Sequence, residues 1–148
     1  VMNEPGEVAA VCVSRTTGTV KTPVERAEVR VGHGLVGDAH AGDWHRQVSL
    51  LGVEEIERAL GGPIAEHAGR FAENLAVRRL PPAAYRVGTR LRVGPDVLLE
   101  ISQIGKECHT GCAIRKQTGD CIMPRRGLFA RVLAGGFVAP GDAVEVVE

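Results

Sequence analysis

Three of the four cysteines stand in one stretch of nineteen residues, KECHTGCAIRKQTGDCIMP, from Lys106 to Pro124. Cys108 and Cys112 are four residues apart, which puts both sulfurs on one face if HTGCAIRK opens a helix. Cys121 follows beyond Gly119 and Asp120, close enough to fold back. Three chemistries suit such a set. Cys108, His109, Cys112 and Cys121 could close a tetrahedral zinc site, although zinc modules commonly use two separate knuckles and only one close pair is present. Cys108 and Cys112 could act as a dithiol switch. A single thiolate could carry sulfur or ligate a soft metal.

The charges around the thiols bear on that choice. Lys106, Arg115, Lys116, Arg125 and Arg126 flank them. Cations next to a cysteine stabilise the thiolate, and the same cations can hold a phosphate or an oxyanion. Any one of these residues is by default a solvated surface group; as a set beside three thiols they predict a pocket. Cys12 is different: it lies between valines in EVAAVCVSR and reads as a small buried hydrophobe.

A second concentration is GHGLVGDAHAGDWHRQVSLLG, Gly32 to Gly52, with five glycines, two aspartates, three histidines and the only tryptophan. It predicts a long irregular loop, the kind of segment on which function is often carried. His40 and His45, with Asp38 and Asp43, suit a metal or an ordinary hydrogen-bonding role. Gly32 and Gly37 are read as serving backbone geometry. GRFAENLAV, Gly69 to Val77, adds Arg70, Glu73 and Asn74 just before a strand, where a pocket wall would give buried polar groups their partners.

The elements that must position these residues are mostly strands. Apolar and polar residues alternate in EVAAVCVSR, and strands are also read in ERAEVRV, RQVSLLG, ENLAVRRL, TRLRVG, DVLLEISQIG, GLFARVLAGG and DAVEVVE. One helix is expected over VEEIERAL, Val53 to Leu60, with Val53, Ile56, Glu57 and Leu60 at helical spacing and Gly61-Gly62-Pro63 as its stop. No βαβ alternation and no internal repeat is visible. The pattern predicts a mainly β fold, a closed or partly closed barrel of seven or eight short strands with a few small helices, because closure removes exposed strand edges.

Composition narrows the function classes. At 148 residues, with 44% hydrophobic content, the chain is expected to form one domain over residues 1–148. Eighteen basic residues balance eighteen acidic ones, so no nucleic-acid partner is expected, though a local basic pocket remains compatible. No apolar run approaches a bilayer span, and VMNEPGEVAAV does not read as a signal peptide, Val1 reading instead as a cloning or trimming remnant. The expectation is therefore no membrane association and a reducing cytoplasm, where clustered thiols bind metal or react.

In order along the chain, GLVGDAHAGDWHRQVSLL, FAENLAV, VGTRLRVG, LEISQIGKECHTGCAI and GLFARVLAGGFVAPGDAVEV together resemble the MOSC domain family. That family is named for the C-terminal region of molybdenum-cofactor sulfurase, and the likeness is to its small stand-alone prokaryotic type. The resemblance implies a β-barrel-like fold and a functional cysteine. That cysteine either accepts sulfur from a pyridoxal-phosphate cysteine desulfurase or ligates the molybdenum of the molybdopterin cofactor. It follows the strand motif LLEISQIG, so Cys108 is the matching position, with Cys112 a second candidate metal ligand. Around it, His45, Arg46, Asn74, Lys106 and Arg115 are the candidates for holding pterin phosphate or oxo groups. The implied partners are the desulfurase and molybdoenzymes or cofactor-biosynthesis proteins. A zinc-stabilised binding module for such partners and a dithiol redox switch are the alternatives. The additional barrel domain of the family's larger enzymes is not expected, so neither is amidoxime reduction by this chain alone.

Pyridoxal phosphate is expected to act only through the partner, because none of Lys21, Lys106 and Lys116 has a context suited to an aldimine. The purified chain incubated with pyridoxal phosphate should show no specific aldimine absorbance that borohydride abolishes. A stoichiometric band of that kind would overturn the assignment.

Overall fold

The computed structural model describes residues 4–106 and 122–147. Its strands are β1 (Gly6–Val13), β2 (Thr22–Val24), β3 (Ala27–Arg30), β4 (Gly34–Leu35), β5 (Val48–Gly52), β6 (Leu75–Arg78), β7 (Arg90–Val93), β8 (Val97–Ile104), β9 (Leu128–Ala134), β10 (Gly136–Val138) and β11 (Ala143–Val147). Helix α1 spans Val53–Leu60, a single turn of helix spans Met123–Arg126, and 3₁₀ turns lie at Ile64–Glu66 and Pro82–Ala84.

The larger sheet runs β11-β7-β8-β9-β5-β6-β1-β2, and β11 also pairs with β1 through Gly6 with Val144 and Glu7 with Ala143. Seven strands therefore close a barrel and β2 continues the sheet beyond β1. This is the expected mainly β barrel. The very short β10, β3 and β4 make a separate three-stranded sheet that the sequence pattern does not reveal.

One expectation is corrected. β5 and β6 pair in parallel, Leu50 with Leu75 and Gly52 with Val77, and α1 lies in the connection between them, so the chain does contain a βαβ unit. All other pairings in the large sheet are antiparallel. A parallel pair requires a crossover that carries the chain back over the sheet.

The crossover explains the composition of β5. Every residue of VSLLG is buried. Leu50 points into the barrel core with Val11, Leu75, Leu91, Leu99 and Leu128. Leu51 points outward into a second cluster with Cys12, Val53, Ile56, Phe71 and Phe129. A strand covered on both faces reads as a continuous apolar run instead of an alternation. Each fully buried leucine contributes about 1.5–3 kcal/mol. Cys12 belongs to that second core, as expected, and burial pushes its thiol up to about 12, with the nearby Glu73 adding to the effect.

Helix α1 starts after Gly52, carries Glu54 and Glu55 in its first turn and Arg58 in its last, and ends where the Gly61 amide donates to Glu57 O at 2.8 Å. These charges favour the helix dipole. The loop that follows turns at Gly69, whose φ is +84° and whose added Cβ would stand 2.0 Å from Lys21 O. The Lys21 amide donates to Gly69 O at 2.8 Å, so this contact fixes the Lys21 backbone.

Gly69→Ala should lower the unfolding free energy by about 2–3 kcal/mol in denaturant titration, through both the forbidden contact and the positive φ. Gly18→Ala is the control: φ is +73° but nothing lies near its added Cβ, so about 1 kcal/mol is expected. Equal, small losses would show that the backbone at Lys21 shifts freely.

Candidate functional site

The loop between β4 and β5 is built around a lysine that lies far from it in sequence. The Lys21 side chain and its partner Asp38 are both 0% exposed. Lys21 Nζ donates to Asp38 Oδ1 at 2.7 Å, to Ser14 Oγ at 3.0 Å and to His40 Nδ1 at 3.0 Å, which uses all three ammonium protons. Asp38 Oδ1 also accepts from the Ser14 amide at 3.0 Å, and Oδ2 from the His40 amide at 3.2 Å. Burial works against the Asp38 charge, yet the Lys21 and Ser14 donors outweigh it and hold the carboxyl below its usual range.

This arrangement removes one metal reading. Asp38 and His40 face an ammonium where a cation would have to sit. Among the described residues no group of His, Cys, Asp and Glu is placed to hold a metal ion. Asp43 is exposed and is not drawn into the cluster.

His40 is held neutral. Burial, then the Lys21 charge, and further off Lys106 and Arg46, bring its pKa down to about 4, with Asp38 alone opposing. Because Nδ1 accepts from Lys21, the proton of the neutral ring is on Nε2. Trp44 Nε1 donates to His40 O at 2.8 Å and locks the loop from the other side.

His45 is oriented by a group the sequence reading did not single out. Gln103, near the end of β8, donates through Nε2 to Gly105 O at 2.7 Å, so its Oε1 must face His45 Nε2, 2.7 Å away. His45 therefore carries a proton on Nε2, and in the neutral ring the lone pair is on Nδ1. It is equipped to accept a hydrogen bond, not to donate one to a phosphate from that atom. Ser102 Oγ donates to His45 O and ties the same loop to β8.

Arg46 lies with its guanidinium carbon 4.5 Å from the centroid of the Trp44 ring and 5.7 Å from that of Phe129. Cation–π contact holds the group. Its Nε is buried and has no hydrogen-bond partner among the described residues. Lys106 stands where β8 gives out: its amide donates to Pro124 O at 3.2 Å, while the Gly105 amide donates to Gly127 O at 2.7 Å. These two bonds place the ends flanking residues 107–121 side by side. Cys108, Cys112 and Arg115, with His109, Lys116 and Cys121, lie outside the described residues.

The remaining expectations sort themselves by burial. Asn74 is fully buried: its Oδ1 accepts from the Ser49 amide at 2.9 Å and from Ser49 Oγ at 3.2 Å, and its Nδ2 donates to Cys12 O at 3.1 Å. It clamps β1, β5 and β6 together instead of facing a ligand. Glu73 is no pocket wall either: buried at 0% exposure, it accepts from the Gly69 amide at 2.7 Å and the Phe71 amide at 3.1 Å. Arg126 pairs with Glu55 at 3.0 Å and covers the Tyr85 ring. Among the described candidates, His45 and the segment entering Lys106 are thus tied to the end of β8 through Gln103, and Arg46 is held on the same loop by Trp44, whose indole binds the His40 carbonyl. Nothing in the local sequence marks Lys21 or Gln103, since their partners arrive from other elements.

Comparison with known proteins agrees with the barrel fold. The MOSC domain family matches residues 37–145. No curated protein matches the sequence. The fold is similar to the crystal structure of YuaD from Bacillus subtilis, at 20% identity and TM-score 0.74 over 97% of this chain and 96% of that one. It is also similar to YiiM from Geobacillus stearothermophilus, at 23% identity and TM-score 0.71 over 97% and 76%, and to YiiM from Escherichia coli, at 20% and 0.63 over 100% and 71%. Among the described residues no helix is long and apolar enough to cross a membrane.

Burial leaves a pH signature at Glu73, raised from 4.5 to about 7 because desolvation outweighs its amide donors. The folded state then holds a proton that the unfolded chain has lost, so stability falls as pH rises between those two values and levels off above the folded one. Relative to Glu73→Gln, the wild type should lose on the order of 3 kcal/mol across that window in denaturant titrations. The opposite slope from His40 is common to both proteins and cancels in the difference. A flat difference curve would show that Glu73 ionises normally.

Proposed function

The chain belongs to the MOSC domain family, and on that premise we propose that it handles the molybdenum cofactor, binding it or carrying sulfur on Cys108 for its sulfuration. The observation that carries this reading is a pair of cations, Arg46 and Lys106, on segments tied to the end of β8. Lys106 stands at the entrance to the cysteine segment, and Arg46, whose buried Nε has no hydrogen-bond partner among the described residues, belongs to the loop that Gln103 ties to the end of β8. An orphaned donor and a lysine with no ion pair among the described residues suit oxygen-rich anionic groups.

In this reading Arg46, Lys106 and Arg115 hold the pterin phosphate or oxo groups, and His45 accepts a hydrogen bond through Nδ1. The bound cofactor would supply the redox and soft-metal chemistry of molybdenum. Cys108 is the nucleophile or ligand, and Cys112 a second thiol that resolves or shares its cargo. Sulfur delivery is a balanced exchange. The Cys108 thiolate attacks the outer sulfur of a donor persulfide, the donor S–S bond breaks, and the donor cysteine leaves as a thiolate. Pyridoxal phosphate belongs to that donor, a cysteine desulfurase, and the acceptor is a molybdoenzyme or a cofactor-biosynthesis protein. A reducing cytoplasm is the compartment in which such thiols stay free.

The test is titration with molybdenum cofactor, scoring bound metal and pterin, together with persulfide formation from a donor. Arg46→Ala should weaken cofactor binding roughly ten- to a hundredfold. Cys108→Ser should abolish persulfide formation or molybdenum retention, while Cys112→Ser only slows turnover. Equal loss in the two cysteine variants would favour a shared zinc site. Full retention in Cys108→Ser would end the carrier reading.

A further inference from the structure

We propose that His40 is a ligand-binding residue: its Nε2–H joins Arg46 and Lys106 in a receptor for a dianionic oxygen ligand, with Lys21 as the positioning residue. The class of ligand is a phosphate monoester or a tetrahedral oxyanion.

The charges decide the class. Lys21 and Asp38 cancel, and both are enclosed. Both Asp38 oxygens are already engaged, by Lys21, the Ser14 amide and the His40 amide. Among the described residues Arg46 and Lys106 have no ion pair, and both positive charges act on His40. Two charges call for a dianion.

The hydrogen bonds decide the role of His40. Lys21 Nζ has three protons and three acceptors, and an ammonium can only donate, so His40 Nδ1 must offer its lone pair. The ring then presents Nε2–H, and that atom has no partner among the described residues. Lys21 and Asp38 are in hydrogen-bond contact with His40, and the charges of Lys106 and Arg46 also act on its ring. Protonating the ring would set a second N–H against the Lys21 ammonium. His40 is therefore a fixed neutral donor, insensitive to pH across the physiological range, and the bonds at Ala39 N to Ser14 O, 2.8 Å, and Trp44 Nε1 to His40 O hold it in place. Preorganised donors of this kind bind without reorganising.

Two measurements test the proposal. Long-range ¹⁵N–¹H spectra of the histidine rings, taken from about pH 5 to about pH 8.5, should show His40 as the Nε2–H tautomer throughout. In Lys21→Met the ring should titrate in the ordinary histidine range again; if that variant does not fold, the wild-type spectra decide. A wild-type His40 protonated on Nδ1, or titrating near about pH 6.5, overturns the proposal. Sulfate, which does not ionise over this range, serves as the probe in calorimetry. One saturable site is expected, with an affinity that stays flat over the same pH span. His40→Leu should weaken it about five- to tenfold, and His40→Gln, which can both accept from Lys21 and donate, should recover most of that. Sulfate that fails to bind, or binds equally to wild type and His40→Leu, overturns the proposal. The identity of the natural ligand rests on the cofactor reading. Failure to bind cofactor, with the tautomer and sulfate site intact, would defeat that reading alone.

Discussion

The Lys21 ammonium is the point on which the functional end of the molecule depends. It is enclosed, and it reaches Ser14 after β1 and both Asp38 and His40 in the loop before β5. Burying an ammonium is costly unless its charge and all its protons are satisfied. Here each proton has an acceptor, and one acceptor is a carboxylate 2.7 Å away. The loop is thereby constrained to one shape, and the tautomer of His40 follows from that shape. So does the placement of Trp44, whose indole donates to the His40 carbonyl and whose face supports Arg46. Removing the ammonium would strand Asp38, which is generally worse than never having had the pair.

A second brace works from the opposite side. Gln103 links His45 to the carbonyl of Gly105, and the Gly105 and Lys106 amides reach the backbone around the turn at Met123–Arg126. The histidine loop and the two points flanking the cysteine segment are thus tied to the same end of β8. The barrel contributes rigidity, and the loop contributes donors.

Much of the fold was legible because strand alternation and turn residues are local signals. The boundaries of α1 were readable from Val53 to Leu60, since Gly52 precedes and Gly61 ends it. β2, β4 and β10 were not, because two or three residues carry no period. The parallel β5–β6 pair escaped because one helix between two strands gives no repeating alternation to detect. In the site, the glycine- and histidine-rich loop stood out by composition, but the roles within it did not. Asp38 and His40 look like metal ligands until Lys21 arrives from seventeen and nineteen residues away. Asn74 has the chemistry of a binding residue and the burial of a clamp; only the partners Ser49 and Cys12 distinguish the two.

The closing seam of the barrel has a consequence for how the chain reaches this state. Gly6 is paired with Val144, and Glu7 with Ala143. The first strand cannot finish its edge until the last has been made. During synthesis the β5–α1–β6 unit can form early, because its contacts are near in sequence, while the Gly6–Glu7 end of β1, which β2 does not cover, stays an open edge to which other strands can bind. Pairing across nearly the whole sequence also makes the ordering search long, which slows closure relative to helical proteins of this size. The interval between emergence of β1 and arrival of β11 is therefore the period in which the nascent chain is most exposed to aggregation. Shielding of that edge by a chaperone would act in this window.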